Sequence, residues 1–256
     1  MKIVAIIPAR LASSRLPNKV LLDIKGLPMV EHVRRRALLS DKLSEVYVAT
    51  CDTEIKDVIE SYGGKVIMTG HHHINGTSRA TEAISNLNCS NIILLQGDEP
   101  LLDPTYIDQF INEINSAEDS VVAWNAVSNL ESEEELDKHS FVKCLINHKG
   151  RIVSCFRKSP CFTSFENQRV FIKKMLGLLA FKKEFLLKLY NYPTSFIEMY
   201  ESIEQMRIIE NGFHLQSLLV KESLPSINEP NEINLVLEYL DNNSHQKELL
   251  NRILNL

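Results

Sequence analysis

Apolar and polar positions are arranged along this chain in two textures. In the first, short apolar runs rich in β-branched residues alternate with stretches whose apolar positions recur every three to four residues. Lys2–Ile7, Val46–Ala49, Lys65–Met68 and Ile92–Leu95 read as strands. The stretches around Met29–Leu39, Glu54–Tyr62, Thr77–Leu87 and Pro104–Ile114 read as amphipathic helices. Pro104 falls in a first helical turn, where its missing N–H costs nothing. Such alternation predicts an α/β fold with a doubly wound, mostly parallel sheet. After about residue 120 the helices thin out. Val121–Val127, Val142–Ile146, Arg151–Phe156 and Met175–Phe181 read as strands, with a hairpin turn at Asn147-His148-Lys149-Gly150. This predicts a smaller, more antiparallel region. A helix over Phe196–Ile209, a strand at Leu215–Val220 and a helical segment from about Glu229 complete the pattern.

The chain has 256 residues, enough to bury a full core as one domain over 1–256. A net charge of -5 argues against a generic nucleic-acid binder. No stretch approaches the roughly 18 apolar residues of a membrane span, and the first ten residues are too short an apolar run for a secretory leader. Five cysteines without a C-x-x-C pair read as reduced thiols in a cytoplasmic protein.

Candidate chemistry begins where the first strand ends. Pro8 opens a loop, Ala9-Arg10-Leu11-Ala12-Ser13-Ser14-Arg15-Leu16-Pro17-Asn18-Lys19, that places three cations and two hydroxyls at the carboxyl end of a sheet. Open α/β sheets bind their ligands there, and arginine and lysine give charge-assisted hydrogen bonds to a polyphosphate. The plainer alternative is a solvated basic loop.

Gln96-Gly97-Asp98-Glu99-Pro100 closes another strand on the same edge. A carboxylate there suits Mg²⁺, which takes one or two carboxylates together with phosphate oxygens and water; Gly97 lets backbone approach a nucleotide. The alternative is an ordinary acidic turn. His72-His73-Ile74-Asn75-Gly76-Thr77-Ser78-Arg79 precedes a helix that Thr77 can cap. Adjacent histidines suit chelation of one ion poorly and no carboxylate lies nearby in sequence, so this loop reads as lying against a base or ribose.

Taken together, Ile7-Pro8-Ala9-Arg10-x-x-Ser13-x-Arg15-Leu16-Pro17-x-Lys19, Gly26-x-Pro28-Met29, Val48-Ala49-Thr50, Gly64-x-Val66-x-Met68-Thr69, His73-x-x-Gly76-Thr77-x-Arg79 and Gln96-Gly97-Asp98-Glu99-Pro100 resemble the 3-deoxy-manno-octulosonate cytidylyltransferase (CMP-Kdo synthetase) family. The resemblance implies a Rossmann-like nucleotidyltransferase fold, with a nucleotide-binding half over about 1–120 and an acceptor and dimerisation half over about 121–256. It also implies a homodimer and Mg²⁺-dependent transfer of CMP from CTP to a sugar acid, releasing pyrophosphate, in lipopolysaccharide or surface polysaccharide synthesis. By that resemblance Arg10, Ser13, Arg15 and Lys19 hold the triphosphate. Pro8, Ala9, Gly76, Thr77, Arg79, Gln96 and Gly97 surround the nucleotide, and Asp98 ligates Mg²⁺.

The second half departs from the family. Its Phe-Ser-Arg-Ala-Pro-Ile-Pro segment reads Phe156-Arg157-Lys158-Ser159-Pro160-Cys161-Phe162, and its His-x-Gly-x-Tyr-Gly-Tyr strand reads Met175-Leu176-Gly177-Leu178-Leu179-Ala180-Phe181. Donors to sugar hydroxyls are thus replaced by apolar side chains, and lysine stands for arginine without its bidentate fork. Glu204 and Gln205 keep the family's helix motif and are acceptor candidates along with Lys158; the alternative is a solvated helix face. The family's second magnesium carboxylate is Asn228 here, which offers a carbonyl oxygen without charge. Lys173 and Lys174 suit either an anion or solvent, and Phe171, Phe181 and Phe185 either an interface or a core. Two readings follow: a cytidylyltransferase acting on 3-deoxy-manno-octulosonate or another small acidic acceptor, or a weakly catalytic or non-catalytic nucleotide-binding relative. The lack of G-x-G-x-x-G after the first strand argues against a dinucleotide-binding protein, and the lack of G-x-x-x-x-G-K-[ST] excludes a Walker-type ATPase.

Overall fold

The computed structural model describes residues 1–13 and 16–256. In chain order it begins with β1 (Ile3–Ala9), a 3-10 turn at Lys19–Leu21, β2 (Asp23–Ile24), β3 (Leu27–Pro28) and α1 (Met29–Leu38). Next come β4 (Glu45–Thr50), α2 (Thr53–Ser61), β5 (Lys65–Met68), α3 (Gly76–Ile84), β6 (Asn91–Leu94) and α4 (Pro104–Ser116). The middle of the chain forms β7 (Val121–Ser128), α5 (Glu134–Asp137), β8 (Lys143–Ile146), β9 (Ile152–Phe156), α6 (Phe165–Phe171) and β10 (Ile172–Lys182). It continues with α7 (Lys183–Leu189), α8 (Phe196–Glu201), α9 (Gln205–Glu210) and β11 (His214–Leu219), before α10 (Glu232–Asn242) and α11 (Ser244–Leu254).

These elements form two compact units, Met1–Ile111 with Leu224–Leu256, and Asn112–Ser223. The halves read from the sequence differ from these units in the last stretch: Leu224–Leu256 returns to the first unit rather than staying with the second. Packing explains the return. Val236 and Leu240 of α10 share a buried cluster with Ile24, Met29, Leu101 and Ile227, and removing such side chains from water stabilises by about 1.5–3 kcal/mol each.

In the first unit the strands lie in the order β6, β1, β4, β5, all parallel. The chain moves outward from β1 through β4 to β5, then reverses and places β6 on the other flank of β1. Right-handed crossovers then put α1 and α2 on one face and α3 on the other, so β1 is buried on both and is apolar throughout. The strand runs two residues further than the sequence suggested, because Pro8 and Ala9 still pair with Ala49 and Thr50. Pro8 is tolerated because it faces the β6 flank, where pairing has already ended with Leu95 N–H donating to the Ile6 carbonyl.

The second unit mixes directions, as its texture foretold. β10 runs antiparallel to β7 and β8, β8 antiparallel to β9, and β11 parallel to β7. The Asn147–Gly150 turn joins β8 to β9, closed by Gly150 N–H on the Asn147 carbonyl, with Gly150 at φ 76°. Phe181 and Phe185 are buried, and Phe171 packs on Leu130, Leu136 and Ile172, so these phenylalanines serve the unit's own core. The single helix expected over Phe196–Ile209 is two, α8 and α9, because Ser202 adopts φ 54°. Arg157 takes up the orphaned carbonyls at the break, its Nε donating to Glu201 at 2.8 Å.

Candidate active site

The loop after β1 is held at its base. Leu11 N–H donates to Asp52 Oδ2 at 2.9 Å, and Asn18 N–H closes onto the Leu11 carbonyl at 3.1 Å. Asp52 occupies the N-cap position of α2 but gives that helix no side-chain cap, its carboxylate being used on the loop. Asn18 takes a left-handed conformation at φ 58°, and the following 3-10 turn presents Lys19 inward. Ser14 and Arg15 lie outside the described residues, and the assignment of Arg15 with them.

Lys19 is where the unit's loops meet. Its ammonium stands 2.5 Å from Asp98 Oδ2, 3.3 Å from the Ile227 carbonyl and 3.5 Å from Asn228 Oδ1. The two oxygen-bearing loops are tied together directly, Ile227 N–H donating to the Asp98 carbonyl at 3.1 Å. Asn228 Nδ2 donates to Ser226 Oγ at 3.1 Å, which turns the amide oxygen toward Lys19. Glu232 accepts from the N–H groups of Asn228 and Glu229 at 2.6 and 3.0 Å and fixes the loop on the first turn of α10.

Above this convergence lies a cleft of about 250 Å³ lined by Pro8, Ala9, Arg10, Ser13, Lys19, Gly76, Arg79, Gln96, Gly97, Asp98 and Asn228. His73 and Asn75, from the loop expected to lie against a base or ribose, complete the lining with Ala12 and Val20, which the sequence did not single out. Close packing around Pro8 favours glycine at two points. A Cβ on Gly76 would come within 2.9 Å of the Pro8 Cγ, and one on Gly97 within 3.2 Å of its carbonyl oxygen. Gly97 thus admits the first strand's own backbone as well as facing the cleft.

The loop before α3 forms the cleft's other wall. Its cap is Asn75, whose side chain accepts from Ser78 N–H at 2.8 Å; Thr77, expected as the cap, is buried inside the helix and outside the cleft lining. Arg79 is nearly buried and reaches across the strand ends to Thr69 Oγ1 at 2.5 Å and Cys51 Sγ at 3.4 Å. Arg10 donates to the His73 carbonyl at 3.5 Å. Three cations and one carboxylate therefore surround a polar cleft at the carboxyl ends of β1 and β6, an arrangement suited to a polyphosphate and a hard cation.

A cytidylyltransferase family model matches residues 4–222. The chain belongs to the cytidylyltransferase family. It is 34% identical over 252 residues to a 3-deoxy-manno-octulosonate cytidylyltransferase of Geotalea daltonii, covering 94% of this chain and 98% of that one. It is also 34% identical over 242 residues to an 8-amino-3,8-dideoxy-manno-octulosonate cytidylyltransferase of Shewanella pealeana, covering 92% of this chain and 97% of that one. Among solved structures it superposes on CMP:2-keto-3-deoxy-manno-octonic acid synthetase complexed with CTP, with a TM-score of 0.88 and 31% identity over 94% of this chain and 99% of that one. The resemblance drawn from the motifs is therefore met, and so is the expected nucleotidyltransferase fold.

The acceptor candidates of this family member lie in the second unit. Lys158 is exposed and Glu204 half-buried. Gln205 donates to Asn125 Oδ1 at 3.1 Å, and Asn125 in turn donates to the carbonyls of Ala126 and Leu176 at 2.8 and 2.9 Å. Asn125 thereby bridges the bulge that breaks the β10 register between Met175 and Leu179. It sits in an apolar strand run, and no periodicity marks it out. Lys173 and Lys174 are committed within the unit, to Asn129 and the Arg169 carbonyl, and to Glu135 and the Phe141 ring. Leu179 is buried. Among the described residues no helix is long and apolar enough to cross a membrane, and none of the five cysteines forms a disulfide.

Proposed function

We propose that this chain transfers CMP from CTP to a 3-deoxy-manno-octulosonate-type sugar acid, releasing pyrophosphate. The observation that carries the reading is the meeting of Lys19 with Asp98 and Asn228 beneath a cleft walled by Arg10, Arg79 and the α3 loop. The likeness to a synthetase solved with CTP supports the nucleotide, and the relatives that act on 3-deoxy-manno-octulosonate and its 8-amino analogue support the acceptor class.

In this reading Arg10, Ser13 and Lys19 receive the triphosphate. Arg15, in the same loop, is assigned by motif. Pro8, Ala9, Gly76, Arg79, Gln96 and Gly97 shape the nucleoside end of the cleft, and Thr77 supports it from within α3. The oxygens of Asp98, Asn228 and Ile227 that converge on the Lys19 ammonium are hard donors, a set that fits Mg²⁺. Asp98 and Asn228 would hold that ion, which supplies charge neutralisation on the phosphate oxygens. Arg10 and Lys19 bind and orient the pyrophosphate portion so that the acceptor oxygen approaches the α-phosphorus in line with the departing oxygen. Catalysis of this kind is positioning and charge stabilisation, with little covalent work for the protein.

Lys158, Glu204 and Gln205 are proposed for the acceptor, and the family's polar strand positions are apolar here at Met175 and Leu179. A homodimer is also proposed, supported by the exposed Phe162, Phe196 and Tyr200 of the second unit, which light scattering would test. The deciding experiment is pyrophosphate release from CTP and Mg²⁺ with a panel containing 3-deoxy-manno-octulosonate, its 8-amino analogue and other small acids. Release with a sugar acid of this class supports the reading. Tight CTP binding with no release across the panel would overturn it.

A further inference from the structure

Adjacent histidines and no carboxylate nearby in sequence gave the His72-His73 pair little promise as a metal site. The fold supplies the missing carboxylate. Glu82, on the outer side of α3, contacts His73 Nε2 directly and lies 3.9 Å from His72 Nε2. One donor atom from each of the three side chains falls within 4.8 Å of the others.

The surroundings set up each donor. Ser78 Oγ lies 3.0 Å from the Asn75 carbonyl and 3.2 Å from His73 Nδ1, so with its proton on Nδ1 the ring donates to Ser78 Oγ. In that tautomer the lone pair of His73 Nε2 is available to an ion held with Glu82. In the metal-free chain His73 Nε2 and the Glu82 carboxylate share a hydrogen bond, and an ion bound by both would replace that proton. A ligating histidine with its other N–H fixed by an oxygen is the usual outer-shell arrangement at metal sites. Glu82 is oriented by Gly70 N–H, which stands 3.2 Å from both carboxylate oxygens. The His72 ring is tilted over His73 with centroids 4.2 Å apart, and it rests on Gly70, where a Cβ would stand 2.5 Å from Nδ1. His72 therefore presents Nε2 toward the other two donors while staying 76% exposed, open to an ion from solvent.

We propose that His72, His73 and Glu82 form a second divalent-metal site, for a borderline ion such as Zn²⁺ or Co²⁺. Two imidazoles and one carboxylate favour such ions over Mg²⁺, which prefers oxygen. The ion staples the segment from Gly70 to Asn75 onto α3, and that segment carries His73 and Asn75 into the cleft wall. The site is separate from the oxygen set at Asp98, and it stands or falls without any turnover being measured.

The test is titration of the full chain with Zn²⁺ by calorimetry and with Co²⁺ by visible absorption, in the absence of nucleotide and acceptor. One ion per chain is expected, with His72→Ala and Gly70→Ala each weakening it at least tenfold. Zn²⁺ should raise the Tm of the parent protein and leave that of His72→Ala unchanged. His72→Ala should keep its metal-free Tm, because the ring is exposed. Equal Zn²⁺ affinity in the parent and in both variants would overturn the proposal, as would a Zn²⁺-dependent rise in Tm that persists in His72→Ala.

Discussion

The Lys19 ammonium lies 2.5 Å from the Asp98 carboxylate, with the pair only partly open to solvent. A lysine from the loop after β1 and an aspartate from the loop after β6 meet because those strands are neighbours and both loops leave the same edge. In the proposed reading the same ammonium is used on the phosphate oxygens of the nucleotide. Lys19→Ala is expected to lower kcat/KM for CTP by roughly 100-fold or more. Its Tm should move little, since partly exposed pairs contribute about 0–1 kcal/mol. Turnover close to that of the parent enzyme would remove Lys19 from the site.

Asn228, proposed with Asp98 to hold the ion, brings an oxygen without charge where the family resemblance implies a carboxylate. Asn228→Asp restores the charge, and Glu232 still accepts the backbone N–H groups that hold the loop. The Mg²⁺ concentration for half-maximal activity is expected to fall, by about tenfold on ligand charge count. A metal titration of pyrophosphate release measures it, and an unchanged requirement would place Asn228 outside the ion's ligands.

Asp52 positions the cationic loop without touching the cleft. Losing its acceptor at Leu11 N–H costs about 1–2 kcal/mol, so Asp52→Ala should raise KM for CTP by roughly 5- to 30-fold while kcat changes less. Asp52→Asn keeps an acceptor oxygen and should recover most of the loss. A Tm shift with no change in KM would show that Asp52 supports only the fold.

His32, fully buried in α1, is pushed down from 6.5 to about 4, chiefly by burial and despite its hydrogen bond to the Ile24 carbonyl. Below pH 6.5 the unfolded chain takes up a proton that the folded chain refuses, so folding weakens as pH falls toward 4. The loss is about 2 kcal/mol by pH 5. Denaturation midpoints at pH 7.5 and 5 should therefore differ less in His32→Gln than in the parent protein. Equal differences would mean that other groups carry the acid sensitivity.

Asn125 satisfies the Leu176 carbonyl at the β10 bulge and orients Gln205. Asn125→Ala leaves buried polar groups unpaired and should destabilise the protein by about 2–3 kcal/mol, with Gln205→Ala costing less because Gln205 is only half-buried. Urea denaturation would check the order of the two.

Much of the architecture was legible along the chain because it follows from local pattern. Apolar β-branched runs can only be buried strands, amphipathic stretches must cover them, and Arg10, Lys19 and Asp98 fall at strand ends where parallel sheets bind ligands. Other features depend on residues brought together from distant segments. The departure of Leu224–Leu256 to the first unit, the placing of Asn228 beside Asp98, the clamp from Asp52 and the meeting of Glu82 with His73 leave no mark on local periodicity. Each arises from a backbone–backbone or side-chain contact that exists only once the crossovers have closed. The break at Ser202 was hidden for a related reason. A left-handed residue outside glycine is disfavoured locally, and carbonyls taken up by Arg157, from another strand's end, make it affordable.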